Sequence, residues 1–120
     1  MANPNIVNVS DIRGKVTGLA LTTVNNAIVL NSSGSNKVFK INTITVANID
    51  GTSAADLTGF LYQNQANTFY LAYTISIPAD ASLVLISKDT SIYLQENDSI
   101  VLTASANGDL QAVCSYEEIS

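Results

Sequence analysis

Apolar residues recur at every second position along most of this chain, the spacing of a strand with one covered face. The longest such run is Phe69, Leu71, Tyr73, Ile75 and Ile77, with Thr68, Tyr70, Ala72, Thr74 and Ser76 between them. That alternation predicts a strand that buries one face and leaves the other to solvent or to a partner. The same period marks Ile92 and Leu94, Ile100 and Leu102, and Leu110, Ala112, Cys114 and Tyr116. Within residues 37–49 the apolar phase moves from Phe39 and Ile41 to Ile44 and Val46, which predicts a β-bulge near Asn42-Thr43.

Turn-forming residues separate these runs. Asn25-Asn26 divides 15–24 from 27–30, Asp50-Gly51 follows 37–49, and Glu96-Asn97-Asp98 precedes 99–105. Asn107-Gly108, ahead of 110–117, is the strongest short hairpin signal, because both residue types tolerate positive φ. Pro78 ends the strand that Ile77 closes, since proline cannot donate to a ladder. The helix-like stretch 53–56 is too short to stand as a helix. The chain therefore reads as all-β: eight or nine short strands, in a jelly-roll-like antiparallel β-sandwich. Consecutive hairpins expected after Pro78 suit two sheets packed face to face. Residues 11–120 are one sandwich domain, and the unpatterned residues 1–10 are an N-terminal arm.

Composition sharpens the functional reading. The chain has 120 residues, of which 47% are hydrophobic and only 12% charged. That charged share is about half the usual ~25%. Short neutral side chains take its place, as in Asn31-Ser32-Ser33-Gly34-Ser35-Asn36. Covering such a surface costs little side-chain entropy, which suits a protein packed against neighbours. Net charge is -5, and the five basic residues, Arg13, Lys15, Lys37, Lys40 and Lys88, are scattered. Neutralising phosphates needs clustered Lys and Arg, so nucleic acid is not an expected partner. No run approaches the ~20 apolar residues of a membrane span, and no membrane partner is expected. Met1-Ala2-Asn3-Pro4-Asn5 lacks the basic start and apolar stretch of a secretion signal.

Candidate chemistry is sparse. The chain has no His, so Ser–His and Cys–His nucleophile pairs and the Cys/His zinc motifs are excluded. The six Gly are isolated and build no phosphate loop. Carboxylate pairs for glycoside hydrolysis exist only as Asp50 with Asp56, Glu96 with Asp98, and Glu117 with Glu118. The first two lie in turns that select such residues for backbone bonding, and the third is read as keeping a chain end solvated. Asp50, Thr52 and Asp56, or Asn97 and Asp98, lack the ligand spacing of a calcium loop. The expectation is thus no enzyme activity, no metal and no cofactor. Cys114, the one cysteine, lies in phase with Leu110, Ala112 and Tyr116 and is read as a core residue. Tyr62, Tyr70 and Tyr93 fall out of phase with their strands' apolar faces. They are expected on outer surfaces, as a protein contact or a sugar platform, and the absence of Trp favours the protein contact.

Three segments carry a family resemblance. They are 44–52 (ITVANIDGT), 77–100 (from Ile77-Pro78-Ala79-Asp80 to Gln95-Glu96-Asn97-Asp98-Ser99-Ile100) and 113–119 (VCSYEEI). In these the chain resembles small virion structural proteins of marine tailed phages, including those infecting cyanobacteria. The resemblance implies no catalytic residues. It implies a chain made in the host cytoplasm that binds the major capsid protein or other virion proteins and forms a symmetric homo-oligomer. Capsid decoration (cement) is the first expectation, a neck, collar or tail component the second, and a receptor- or glycan-binding module the third. The expected contact residues are Asn3, Asn5, Ile6, Val7 and Val9 of the arm, Tyr62, and the outward face of 69–77 with Tyr70. An arm of ten residues reaches up to ~33 Å at ~3.3 Å per residue, long enough to clamp a neighbouring subunit.

Overall fold

The computed structural model describes residues 11–120, so the arm 1–10, with Asn3, Asn5, Ile6, Val7 and Val9, lies outside the described residues. Nine strands follow in order. They are β1 (Ile12–Ala20), β2 (Asn26–Leu30), β3 (Val38–Asn48), β4 (Ala55–Gln63), β5 (Asn67–Ile77), β6 (Ser82–Ile86), β7 (Ile92–Leu94), β8 (Ser99–Ala104) and β9 (Leu110–Ile119). A 3-10 turn, Lys88–Thr90, precedes β7. Sheet A has the order β1–β9–β3–β6, with the short β7 also pairing with β3, and sheet B has the order β2–β8–β4–β5. All these pairings are antiparallel. The two antiparallel sheets, of five and four strands with the chain crossing between them, form a jelly-roll-like β-sandwich.

The inner faces meet in one core. Leu21, Ile41, Ile44, Val46, Leu57, Leu94, Ile100, Leu102 and Leu110 are fully buried there. Burying each such side chain stabilises by about 1.5–3 kcal/mol. The bulge expected near Asn42-Thr43 is present: Ile41 opposes Tyr116 of β9 while Thr43 opposes Ser115, leaving Asn42 as the extra residue. It keeps Phe39, Ile41, Ile44 and Val46 all on the core side. Gly59 marks the tightest approach. A Cβ there would lie 2.8 Å from Leu102 Cδ2 and 3.2 Å from Leu85 Cδ2 of the facing sheet.

The chain departs from the sequence expectation in two ways. First, no hairpin follows Pro78. β6 and β7 both pair with β3, β8 lies in sheet B and β9 in sheet A. Asn107-Gly108, with Gly108 at φ 81°, therefore turns the chain from one sheet to the other. A tight turn chooses the local bend and not the sheet that the next strand joins. The hairpin that does form is β4–β5, where Asn64 and Gln65 both adopt positive φ.

Second, β5 does not keep one phase. Its pairing with β4 slips twice: Leu57 opposes Ile75, Gly59 opposes Ala72, and Phe60 opposes Tyr70. Thr74, at φ 46°, takes up one of these irregularities, and its N–H donates to Thr58 Oγ1 at 3.1 Å. The five odd-numbered apolar residues consequently do not share a buried face. Ile77 is sealed, but Phe69 and Tyr73 are 55% and 66% exposed, and it is Ala72 that is buried.

Buried polar side chains tie the loops to the sandwich. Asn31 Nδ2 donates to the carbonyls of Lys37 (2.8 Å) and Leu94 (3.0 Å). The loop 31–37 is further held by Glu96, whose two carboxylate oxygens accept the N–H groups of Gly34 and Asn36, each at 3.0 Å. Asp98 accepts from the N–H of Asn64 (2.9 Å) and of Gln95 (3.1 Å). Asn48 Nδ2 donates to the carbonyls of Ser53 and Ile77. These bonds give the buried side chains of Asn31, Asn48, Glu96 and Asp98 partners within the protein and tie loop backbone to them.

Candidate binding face

The outer face of sheet B is built from successive cross-strand rows. Leu30 opposes Ser99, Ser99 opposes Tyr62, and Tyr62 opposes Thr68. The next row is Ala27, Val101, Phe60 and Tyr70. Beyond it Thr103 opposes Thr58, with the Thr103 hydroxyl donating to Asn25 Oδ1. None of these residues carries a charge. Phe60 and Val101 are buried yet stand apart from the core cluster, because they are covered by neighbours on this outer face and not by the opposite sheet.

An aromatic chain runs along the same face. Phe60 meets Tyr62 edge-on at 6.1 Å between ring centroids and Tyr70 at 5.6 Å, and Tyr70 meets Tyr73 at 4.9 Å. Edge-to-face contacts at these separations hold the rings in fixed orientations. Beside the chain lies a groove of about 440 Å³, lined by residues of β2, β8, β4 and β5 together with Asn25 and Gln65. Gln65 is positioned by Nε2–H bonds to Asn97 O (2.8 Å) and Ser99 Oγ (3.2 Å).

Tyr62 and Tyr70 thus share this face, each meeting Phe60. Tyr93 is not with them: it opposes Lys40 on sheet A. Sequence reading missed Phe60 and Val101, because an apolar residue in a strand is assigned to the core unless its pairing partners are known. Sheet A has an outer row of its own, Gly18, Val113, Thr45 and Val84, next to Val16, Ser115 and Thr43. Val16, Val84 and Val113 are 69%, 59% and 50% exposed.

The carboxylates have local duties. Glu96 and Asp98 are spent on loop N–H groups, as above. Asp50 Oδ1 accepts the Thr52 N–H and hydroxyl, both at 2.9 Å, and these bonds hold its carboxyl below the ordinary value. Glu118 corrects the expectation of a solvated chain end: its side chain is 11% exposed and lies 3.1 Å from Lys37 Nζ and 3.4 Å from Lys15 Nζ. Burial alone would raise its pKa, but hydrogen bonds and charge from Lys37 and Lys15 outweigh burial and hold it low. Burial pushes the Cys114 thiol up to about 12, which matches its expected place in the core. Among the described residues no group of three or more His, Cys, Asp or Glu is placed to hold a metal ion.

No protein-family profile and no curated protein matches this sequence. Among solved structures, the chain is similar to one from Bacillus endospore appendages, a family of disulfide-linked pili. The TM-score is 0.53 at 11% identity, over 90% of this chain and 85% of that one. The similarity is one of fold.

Proposed function

We propose that this chain is a non-catalytic capsid decoration protein of a tailed phage, bound to the major capsid protein and to further copies of itself. The observation that carries the reading is the outer face of sheet A, where exposed Val16, Val84 and Val113 stand among Gly, Ser and Thr. Exposed apolar residues grouped on one face mark a surface that another protein covers. Few ions need desolvation when such a face is buried, so little of the contact energy is lost to polar burial. The resemblance of 44–52, 77–100 and 113–119 to virion proteins supports the particle as the setting. In the endospore appendages a similar fold serves as a pilus component, which supports assembly as a use of this architecture. Their disulfide linkage has no counterpart at Cys114, which is sealed in the core.

Val113→Glu tests the reading. Val113 is outward and half-exposed, so the substitution is expected to leave stability within about 0.5 kcal/mol. It places a charge in the centre of the proposed contact. Purified wild-type protein is expected to bind particles lacking it, and the variant to bind at least about tenfold more weakly, the effect of ~1.4 kcal/mol at an interface. Equal binding by the two proteins would remove sheet A as the contact.

A further inference from the structure

We propose that the groove on the outer face of sheet B is a binding site for a neutral carbohydrate. The inference does not depend on the docking role given to sheet A, which lies on the opposite side of the sandwich.

Size comes first. At about 440 Å³ the groove falls within the ~300–1,000 Å³ typical of small-ligand sites. Charge comes next. No residue lining it is ionisable as an acid or base near neutral pH, so an ionic ligand would lose hydration without gaining a counter-charge. That weighs against phosphorylated, sulfated and other anionic ligands.

The lining chemistry then separates a sugar from an apolar protein segment. Tyr62 supplies ring surface over the buried Phe60, while Asn25, Gln65 and Thr68 bring amides and a hydroxyl and the buried Ser99 braces Gln65. A sugar presents an apolar C–H face and a rim of hydroxyls that both donate and accept. Amide and hydroxyl side chains offer the same pair of capacities. An apolar peptide covering this groove would bury the remaining capacity of these groups, the Gln65 Oε1, the Asn25 Nδ2 and the Thr68 hydroxyl, without offering it partners, at about 1–3 kcal/mol each. The groups are also held before any ligand arrives: Gln65 by Asn97 and Ser99, Asn25 by Thr103, and Phe60 between Tyr62 and Tyr70. Preorganisation of this kind lowers the entropy lost on binding.

The test applies the full chain to an array of neutral and anionic glycans that includes bacterial surface polysaccharides, with Tyr62→Ala, Thr68→Arg and Tyr93→Ala alongside. Thr68 is exposed on an edge strand, so Arg there fills the groove without entering the core, and a urea midpoint confirms that each variant is folded. Retention of neutral glycans by the wild type and by Tyr93→Ala is expected. Tyr62→Ala and Thr68→Arg should each weaken it at least about tenfold, as loss of a central contact does. The proposal is overturned if no neutral glycan is retained, if only anionic glycans are, or if both groove variants retain glycan like the wild type. It is equally overturned if those two variants abolish particle binding while no glycan is retained, since the groove is then a protein contact.

Discussion

Glu118 illustrates how a single side chain can carry a role that its position in the sequence hides. Two residues from the end of the chain, it reads as a solubilising charge. In the fold it joins Lys15 of β1 to Lys37, next to the start of β3. Its carboxyl is held below the ordinary value of 4.5, so its contribution to stability is complete above that value. The contribution is lost as pH falls through the lower folded pKa. Both lysines are more than a third exposed, so solvent and salt screening keep the interaction at about 1 kcal/mol or less. Glu118→Gln should therefore lower unfolding free energy by about that much at pH 7. The difference from wild type should close as pH is lowered, when urea melts are compared across the acid range. A constant difference at every pH would mean that shape and not charge is responsible. At this scale the sequence was a partial guide. Tyr62 and Tyr70 were identifiable as outward by phase, and Cys114 as inward. Phe60 and Val101 were not identifiable, since only their partners across the strands set them on the outside.

At the scale of elements, the bulge in β3 was legible and the two irregularities in β5 were not. In β3 the apolar residues themselves change phase, so the bulge is written in the pattern. In β5 an unbroken alternation from Phe69 to Ile77 runs over both slips, and part of the apolar set is simply left on the outer face and the open edge. Edge strands can tolerate this because one side of the ladder is free, and bulges there discourage unwanted pairing. Loops behave similarly: composition announces that 31–37 is a loop, but only the fold reveals that Glu96 holds it from a distant turn. Glu96→Gln replaces one accepting oxygen with a donating amide facing the N–H of Gly34 or Asn36. Stability should fall by about 1–3 kcal/mol, the cost of a buried polar group left unmatched. Hydrogen exchange should report faster opening of residues 34–36 with β8 and β4 still protected. Unchanged protection at 34–36 would contradict the clamp.

For the whole molecule, period-two spacing and turn residues were sufficient to give an all-β sandwich. They were not sufficient to give its strand order. A turn that closes a hairpin and a turn that carries the chain to the opposite sheet use the same residue types, so Asn107-Gly108 looked like the former and acts as the latter. The assembled sandwich presents two outer faces of different character: the rows at the centre of sheet A are aliphatic and hydroxyl-bearing, with Lys40 opposite Glu117 toward one end, while sheet B is aromatic and grooved. A decoration protein needs one face toward the capsid and leaves the other toward the medium, and this division supplies both. The most direct measurement is the copy number of the chain in purified particles, by quantitative mass spectrometry against the major capsid protein. A ratio near one, or a simple fraction such as about one third, is the result expected of a protein that covers the lattice. A ratio of a few per cent would contradict decoration and place the chain in a neck or tail ring, and its absence from the particle would contradict the virion role altogether.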